Sequence, residues 1–217
     1  MHPLDNPIWN SLTTKHAHLA LGGGAVRRYP PECAPFIGIA DESAKIPGRL
    51  VATGEHVGII GVISPLIWNV VKKIDLCQYV LSPGAQGKPD GDAVLLTEVD
   101  APAMLELTAL VYPHYFRAGT PKMGSYFGFF DGERLCAMAG TRFAMPGFQE
   151  ISAICTHPDY RARGLAGRLT RHLIQKIASE GDTAFLHTES DNPAKAMYEK
   201  LGFELRDKLR FIIVQSP

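Results

Sequence analysis

Arg161-Ala162-Arg163-Gly164-Leu165-Ala166 sits between a strand-like run over 150–156 and an amphipathic pattern that continues to about Ser179. A chain that leaves a strand through a short turn of small residues and then coils into a helix leaves the first helical amides without intrahelical partners. Those amides lie at the positive end of the helix dipole, which suits a diphosphate. Residues 161–167 therefore predict a nucleotide-like ligand held by backbone N–H groups. Arg161 and Arg163 add charge, and the small residues Gly164, Ala166 and Gly167 permit close approach.

The helix behind the turn is read from Leu165, Leu169, Leu173 and Ile177, which recur every four residues while Arg168, Arg171, Gln175 and Lys176 take other faces. Gly181 closes it. Outward from there, the pattern predicts a helix over 102–111 and a hairpin of 125–130 with 135–143 about Asp131-Gly132. It continues with a strand over 150–156, the helix over 164–179, a strand over 184–188, a helix over 193–201 and a strand over 210–214. This alternation predicts an α/β (α+β) fold built on a mixed sheet.

Residues 82–92 hold three glycines and two prolines, and mark a boundary between residues 1–90 and a domain over 92–217. Before it, a helix is expected from Ser11 to about Leu21, stopped by Gly22-Gly23-Gly24, followed by strands over 57–63 and 74–81. His16 and His18, two apart on that helix, point in different directions and do not share a metal.

Lys and Arg together number 22 and so do Asp and Glu, so no global field favours nucleic acid or an anionic membrane. The longest apolar stretch, 57–71, is broken by Ser64, Pro65 and Asn69 and falls short of the roughly 20 residues of a spanning helix. The segment from Met1 lacks a basic-then-apolar leader, so a cytoplasmic protein without nucleic-acid or membrane partners is expected. Cys33, Cys77, Cys136 and Cys155 are too widely spaced for zinc knuckles and read as buried reduced thiols, with no metal site.

Arg161-x-x-Gly164-x-Ala166, approached through Thr156-His157-Pro158-Asp159-Tyr160, resembles the first signature of the GNAT superfamily of N-acetyltransferases. The run from Asp191-Asn192-Pro193 through Tyr198 to Leu201-Gly202-Phe203 resembles its second signature, and the two stand in the family's order. The resemblance covers about 99–214 and includes the hairpin run 136–140. It implies a mixed, mostly antiparallel central sheet flanked by helices, with residues 1–90 an additional α+β region that is either a degenerate copy of the fold or a substrate-side cap.

By that resemblance the protein is an acetyl-CoA-dependent N-acetyltransferase in which the amine attacks the thioester directly, on a small-molecule or peptide amine; a homodimer is compatible with it. The turn residues Arg161, Ala162, Arg163, Gly164, Leu165, Ala166 and Gly167 would hold the coenzyme A diphosphate, Ile154 and Thr156 the pantetheine arm, and Asn192 a further contact. Asn192 to Tyr198 is one residue shorter than the family's usual spacing, so Asp191 or Asn192 takes the family's Asn position. Glu150 is implied as general base, which needs burial to raise its pKa. Tyr198 is implied as the acid for the leaving thiolate.

His187 is expected to pack, Cys155 has no role, and Tyr112, His114, Tyr115 and Phe116 are candidates for aromatic contact with the acceptor. The competing class is a non-catalytic acyl-CoA-binding regulatory module, which keeps the turn but needs neither Glu150 nor Tyr198.

Overall fold

The computed structural model of the chain describes residues 2–64, 68–113 and 115–217, so Met1, Pro65 and His114, named above, lie outside the described residues. Helix α1 spans Pro7–Thr13, with proline in its first turn, where the missing N–H costs no bond. This replaces the helix expected from Ser11 to Leu21. A single 3-10 turn over Ala17–Leu19 follows, and two of the three glycines lie in a strand.

That strand, β1 (Leu21–Gly23), pairs antiparallel with β2 (Val26–Arg28), which pairs with β3 (Ile37–Ile39) in a small separate sheet. Gly22 stands at φ +92°, and a Cβ there would lie 2.8 Å from the Val26 carbonyl oxygen. The glycines therefore serve a tight hairpin and not a helix stop.

The remaining strands are β4 (His56–Ile60), β5 (Asn69–Leu81), β6 (Val94–Leu96), β7 (Tyr126–Asp131), β8 (Arg134–Met145), β9 (Phe148–Thr156), β10 (Thr183–Glu189) and β11 (Phe203–Gln215). They form one sheet in the order β4-β11-β5-β10-β9-β8-β7-β6, with every neighbour antiparallel except β9 and β10. The expected mixed, mostly antiparallel sheet is what the chain builds. Helices α2 (Ala101–Val111), α3 (Leu165–Ser179) and α4 (Lys195–Lys200) complete it.

The composition break at 82–92 is a loop, but the sheet does not stop there. Strand β5 from the first half lies between β10 and β11 from the second, and β4 pairs with β11. The loop itself is pinned to α3, where Arg168 pairs with Asp90 at 2.6 Å and Asp92 at 2.7 Å, and the Lys88 amide donates to the Arg171 carbonyl at 3.1 Å. Residues 1–90 are thus part of the same layered structure.

Alternate residues of a strand face opposite ways, and the sheet is covered on both sides accordingly. Phe185 packs with Leu4, Ile8 and Leu12 around α1, while Ala184 and Leu186 pack beneath Leu169, Leu173, Ile174 and Ile177 of α3. Helix α2 packs Met104 and Leu107 against Tyr126, Leu135 and Met138. No helix among the described residues is long and apolar enough to cross a membrane.

Leu173 is fully buried at the centre of the α3 face. Leu173→Ala is expected to lower the free energy of unfolding by about 3 kcal/mol, read from the urea midpoint, because the cavity left under a helix held at both ends closes only in part.

Candidate active site

Parallel strands β9 and β10 pair only through Thr183 with Phe148, Ala184 with Gln149 and Phe185 with Glu150. Beyond Glu150 they part. The divergence begins where β9 bulges: Met138 pairs with Cys155 and Gly140 with Ser152, so Ala139 faces two residues, one of them Ala153 at φ +51°. The cleft between the parted strands opens into a cavity of about 690 Å³.

At the end of β9 the chain turns through Ala162 at φ +60° and Gly164 at φ +75° into α3. A left-handed alanine costs about 1 kcal/mol, held here to bring successive amides to one side. The amides of residues 162–167 donate to no backbone or side-chain acceptor among the described residues. Arg168 is the first to find one, the Gly164 carbonyl at 3.0 Å. No protein atom within 4 Å would meet a Cβ at Gly164, and at Gly167 the nearest is Arg171 Nη1 at 3.7 Å, so the turn has room for an anion.

Arg161 lies on the cavity wall, whereas Arg163 lies over the Tyr160 ring at 4.7 Å and donates to the Asp159 carbonyl at 3.1 Å. Ile154, Thr156, Asn192 and Tyr198 line the cavity. Asn192, not Asp191, is the one on the wall; its Oδ1 accepts from the Ala194 amide at 2.9 Å in a turn just before α4. Three hydroxyls on the wall, those of Tyr126, Thr156 and Thr188, are buried with no hydrogen-bond partner among the described residues. A buried hydroxyl without a partner is costly, and a polar arm entering the cleft would relieve it.

Glu150 stands at the fork of the two strands and is fully buried, but it is not on the cavity wall. Arg142 Nε and Nη2 donate to its two oxygens at 2.8 and 2.7 Å, and His187 Nδ1 meets Oε1 at 2.7 Å. Burial by itself pushes this carboxyl up, but the Arg142 charge and the hydrogen bonds from Arg142 and His187 outweigh it and hold the pKa at about 2. A base was expected to need burial that raises its pKa; here burial comes with a cation, both carboxylate oxygens are occupied, and the pKa is held low.

His187, expected only to pack, is a link in a buried chain. Arg206 Nη1 donates to Gln78 Oε1 at 2.6 Å, which turns Gln78 Nε2 toward the Leu4 carbonyl and His187 Nε2, both at 2.9 Å. An amide nitrogen only donates, so His187 Nε2 accepts and its Nδ1 carries the hydrogen to Glu150. Gln78 comes from β5, whose place in the sheet no local pattern announces.

Tyr198 is buried and its hydroxyl has no hydrogen bond among the described residues; burial pushes its pKa up to about 12. Cys155 is likewise pushed up to about 12 by burial, a thiol with no thiolate character at neutral pH. Tyr112 and Tyr115 stack at 5.3 Å on the wall, and the Tyr112 hydroxyl donates to Glu189 Oε1 at 2.7 Å. Phe36, Ile60 of β4 and Leu76 of β5 also line the cavity beside Phe211 of β11, so residues before the 82–92 loop contribute to its wall.

The site is thus a parallel pair splayed at a bulge, followed by a turn of amides without acceptors among the described residues that leads into a helix. A family model, FR47-like protein, matches residues 126–212. A Novosphingobium aromaticivorans protein assigned to the GNAT family of acetyltransferases, known as a crystal structure, is 32% identical, with all of each chain covered and a TM-score of 0.91. The chain belongs to the GNAT family of acetyltransferases.

Among curated proteins, Acetyltransferase SG1711 of Sodalis glossinidius is 34% identical over 40% of this chain and 53% of its own length. Mycothiol acetyltransferase of Corynebacterium glutamicum is 35% identical over 36% of this chain and 27% of its own. The chain therefore spans about half or less of these curated relatives.

Proposed function

We propose that the protein is an acetyl-CoA-dependent N-acetyltransferase acting by direct attack of an amine on the thioester. The observation that carries this reading is the run of amides over 162–167 with no acceptor among the described residues, directly after Arg161 on the wall of a cleft that also holds the unpartnered Thr156 and Thr188 hydroxyls. Acetyl-CoA, when bound, supplies the activated acyl group. The amides and Arg161 fit its diphosphate, and Ile154, Thr156 and Asn192 lie where its arm would run.

Tyr198, protonated at any working pH because its pKa is about 12, keeps a proton to give to a departing thiolate. Tyr198→Phe is expected to lower kcat about 100-fold with acetyl-CoA affinity unchanged, measured by thiol release and calorimetry. Glu150 holds Arg142 and His187 in place. The carboxylate on the cavity wall is Glu189, steered by Tyr112, and we assign it to receive the incoming ammonium and pass its proton to solvent.

Calorimetric titration with acetyl-CoA and thiol release across an amine panel test the proposal together. No binding of acetyl-CoA would overturn it. Binding without thiol release from any amine would mark the chain as the non-catalytic acyl-CoA-binding module instead.

A further inference from the structure

We propose that the acceptor is an amine carrying its own carboxylate and an apolar side chain, an amino acid or short peptide, and that Arg142 reads the carboxylate; this rests on the acetyl-transfer reading of the same cavity. Arg142 uses one edge of its guanidinium within the protein, with Nε and Nη2 facing Glu150 at 2.8 and 2.7 Å. Nη1 has no acceptor among the described residues and is not one of the side-chain atoms buried without a partner. Arg142 is on the cavity wall, and we take Nη1, its nitrogen without a partner among the described residues, as the atom that faces the cavity. The edge made by Nη1 and the second hydrogen of Nη2 is a planar two-donor fork, the shape that a carboxylate fills.

The fork is fixed before any ligand arrives. Its Cζ lies 4.5 Å from the Phe143 ring and 5.1 Å from the Phe36 ring, and Glu150 behind it is held in turn by His187 and Gln78. A group already immobilised gives up little further freedom on binding. Glu150 also keeps the guanidinium from standing as a lone charge in a half-buried wall.

From that fork an aromatic rail runs to the carboxylate at the other end. Phe36 meets Phe211 at 6.2 Å, Phe211 meets Tyr115 at 6.3 Å, Tyr115 stacks on Tyr112 at 5.3 Å, and Tyr112 holds Glu189. A cation at one end, a carboxylate at the other and rings between them match a molecule that presents a carboxylate, an ammonium and an apolar side chain. A plain alkylamine or a polyamine would leave the fork unpaired.

The test uses matched pairs: L-phenylalanine against phenethylamine, and glycyl-L-phenylalanine against its C-terminal amide. Thiol release is followed for each, and binding of the four N-acetyl products is measured by calorimetry. The carboxylate member of one pair is expected to show at least about tenfold higher kcat/KM and tighter product binding. Arg142→Met combined with Glu150→Gln removes both charges together, so neither is stranded, and is expected to erase the preference while acetyl-CoA still binds.

If neither pair discriminates in turnover or product binding, or if the double variant keeps the preference, the assignment is overturned. Should the double variant fail to fold, Arg142→Lys keeps the charge without the fork and must show the same loss. Failure of the wild type to bind acetyl-CoA overturns instead the transferase reading beneath it, and that result is read in a separate titration.

Discussion

Glu150→Gln is expected to lower the free energy of unfolding at pH 7 by roughly 3–5 kcal/mol, while the rate that survives keeps its pH dependence between pH 6 and 8. The substitution leaves Arg142 facing a neutral amide inside the sheet, which is the costly way to break a buried pair. Because the Glu150 carboxyl is held at about 2, below its ordinary 4.5, its stabilising share is complete above about pH 4.5 and is lost as pH falls toward 2. Wild type and variant should therefore differ most at neutral pH in urea titrations and converge on acidification. A variant as stable as wild type would refute the anchor role, and loss of the acid limb between pH 6 and 8 would restore Glu150 as the base.

Ala166→Glu is expected to weaken acetyl-CoA binding about 100-fold, close to 3 kcal/mol, while raising stability by a few tenths of a kcal/mol. Ala166 is the second residue of α3, among amides that have no acceptor. A carboxylate there complements the helix dipole in the free protein and repels a diphosphate from the same amides. Calorimetry gives the first change and thermal unfolding without ligand the second. Equal loss of both would mean that the variant damages the turn and not its charge. Unchanged affinity would place the diphosphate elsewhere.

The turn and helix over 161–179 were legible because both are local: left-handed residues, small side chains and a four-residue apolar repeat act within a few positions of one another. Tyr198 and Asn192 reached the cavity wall for the same reason, each lying on an element bounded by its own sequence signals. Glu150 was placed on the right strand, but its surroundings were not foreseen. Its pKa is decided by Arg142 on β8 and His187 on β10, and no spacing in the chain says that the three meet. Glycines 22–24 misled because a helix stop and a hairpin use the same permissive backbone. The pairing of β5 between β10 and β11 was not legible at all, since strand order is fixed by contacts far apart in the chain.

That strand order bears on how the molecule is made. Residues 69–81 emerge from the ribosome long before 183–189 and 203–215, the strands that pair with their two edges. Until residues 183–215 have emerged, this 13-residue ribbon lacks the strands that flank it, so the cavity wall it carries cannot close before they arrive. A ribosome-bound chain stalled before residue 183 thus holds the whole sequence of the turn and of α3 but lacks the strands that complete the cavity wall.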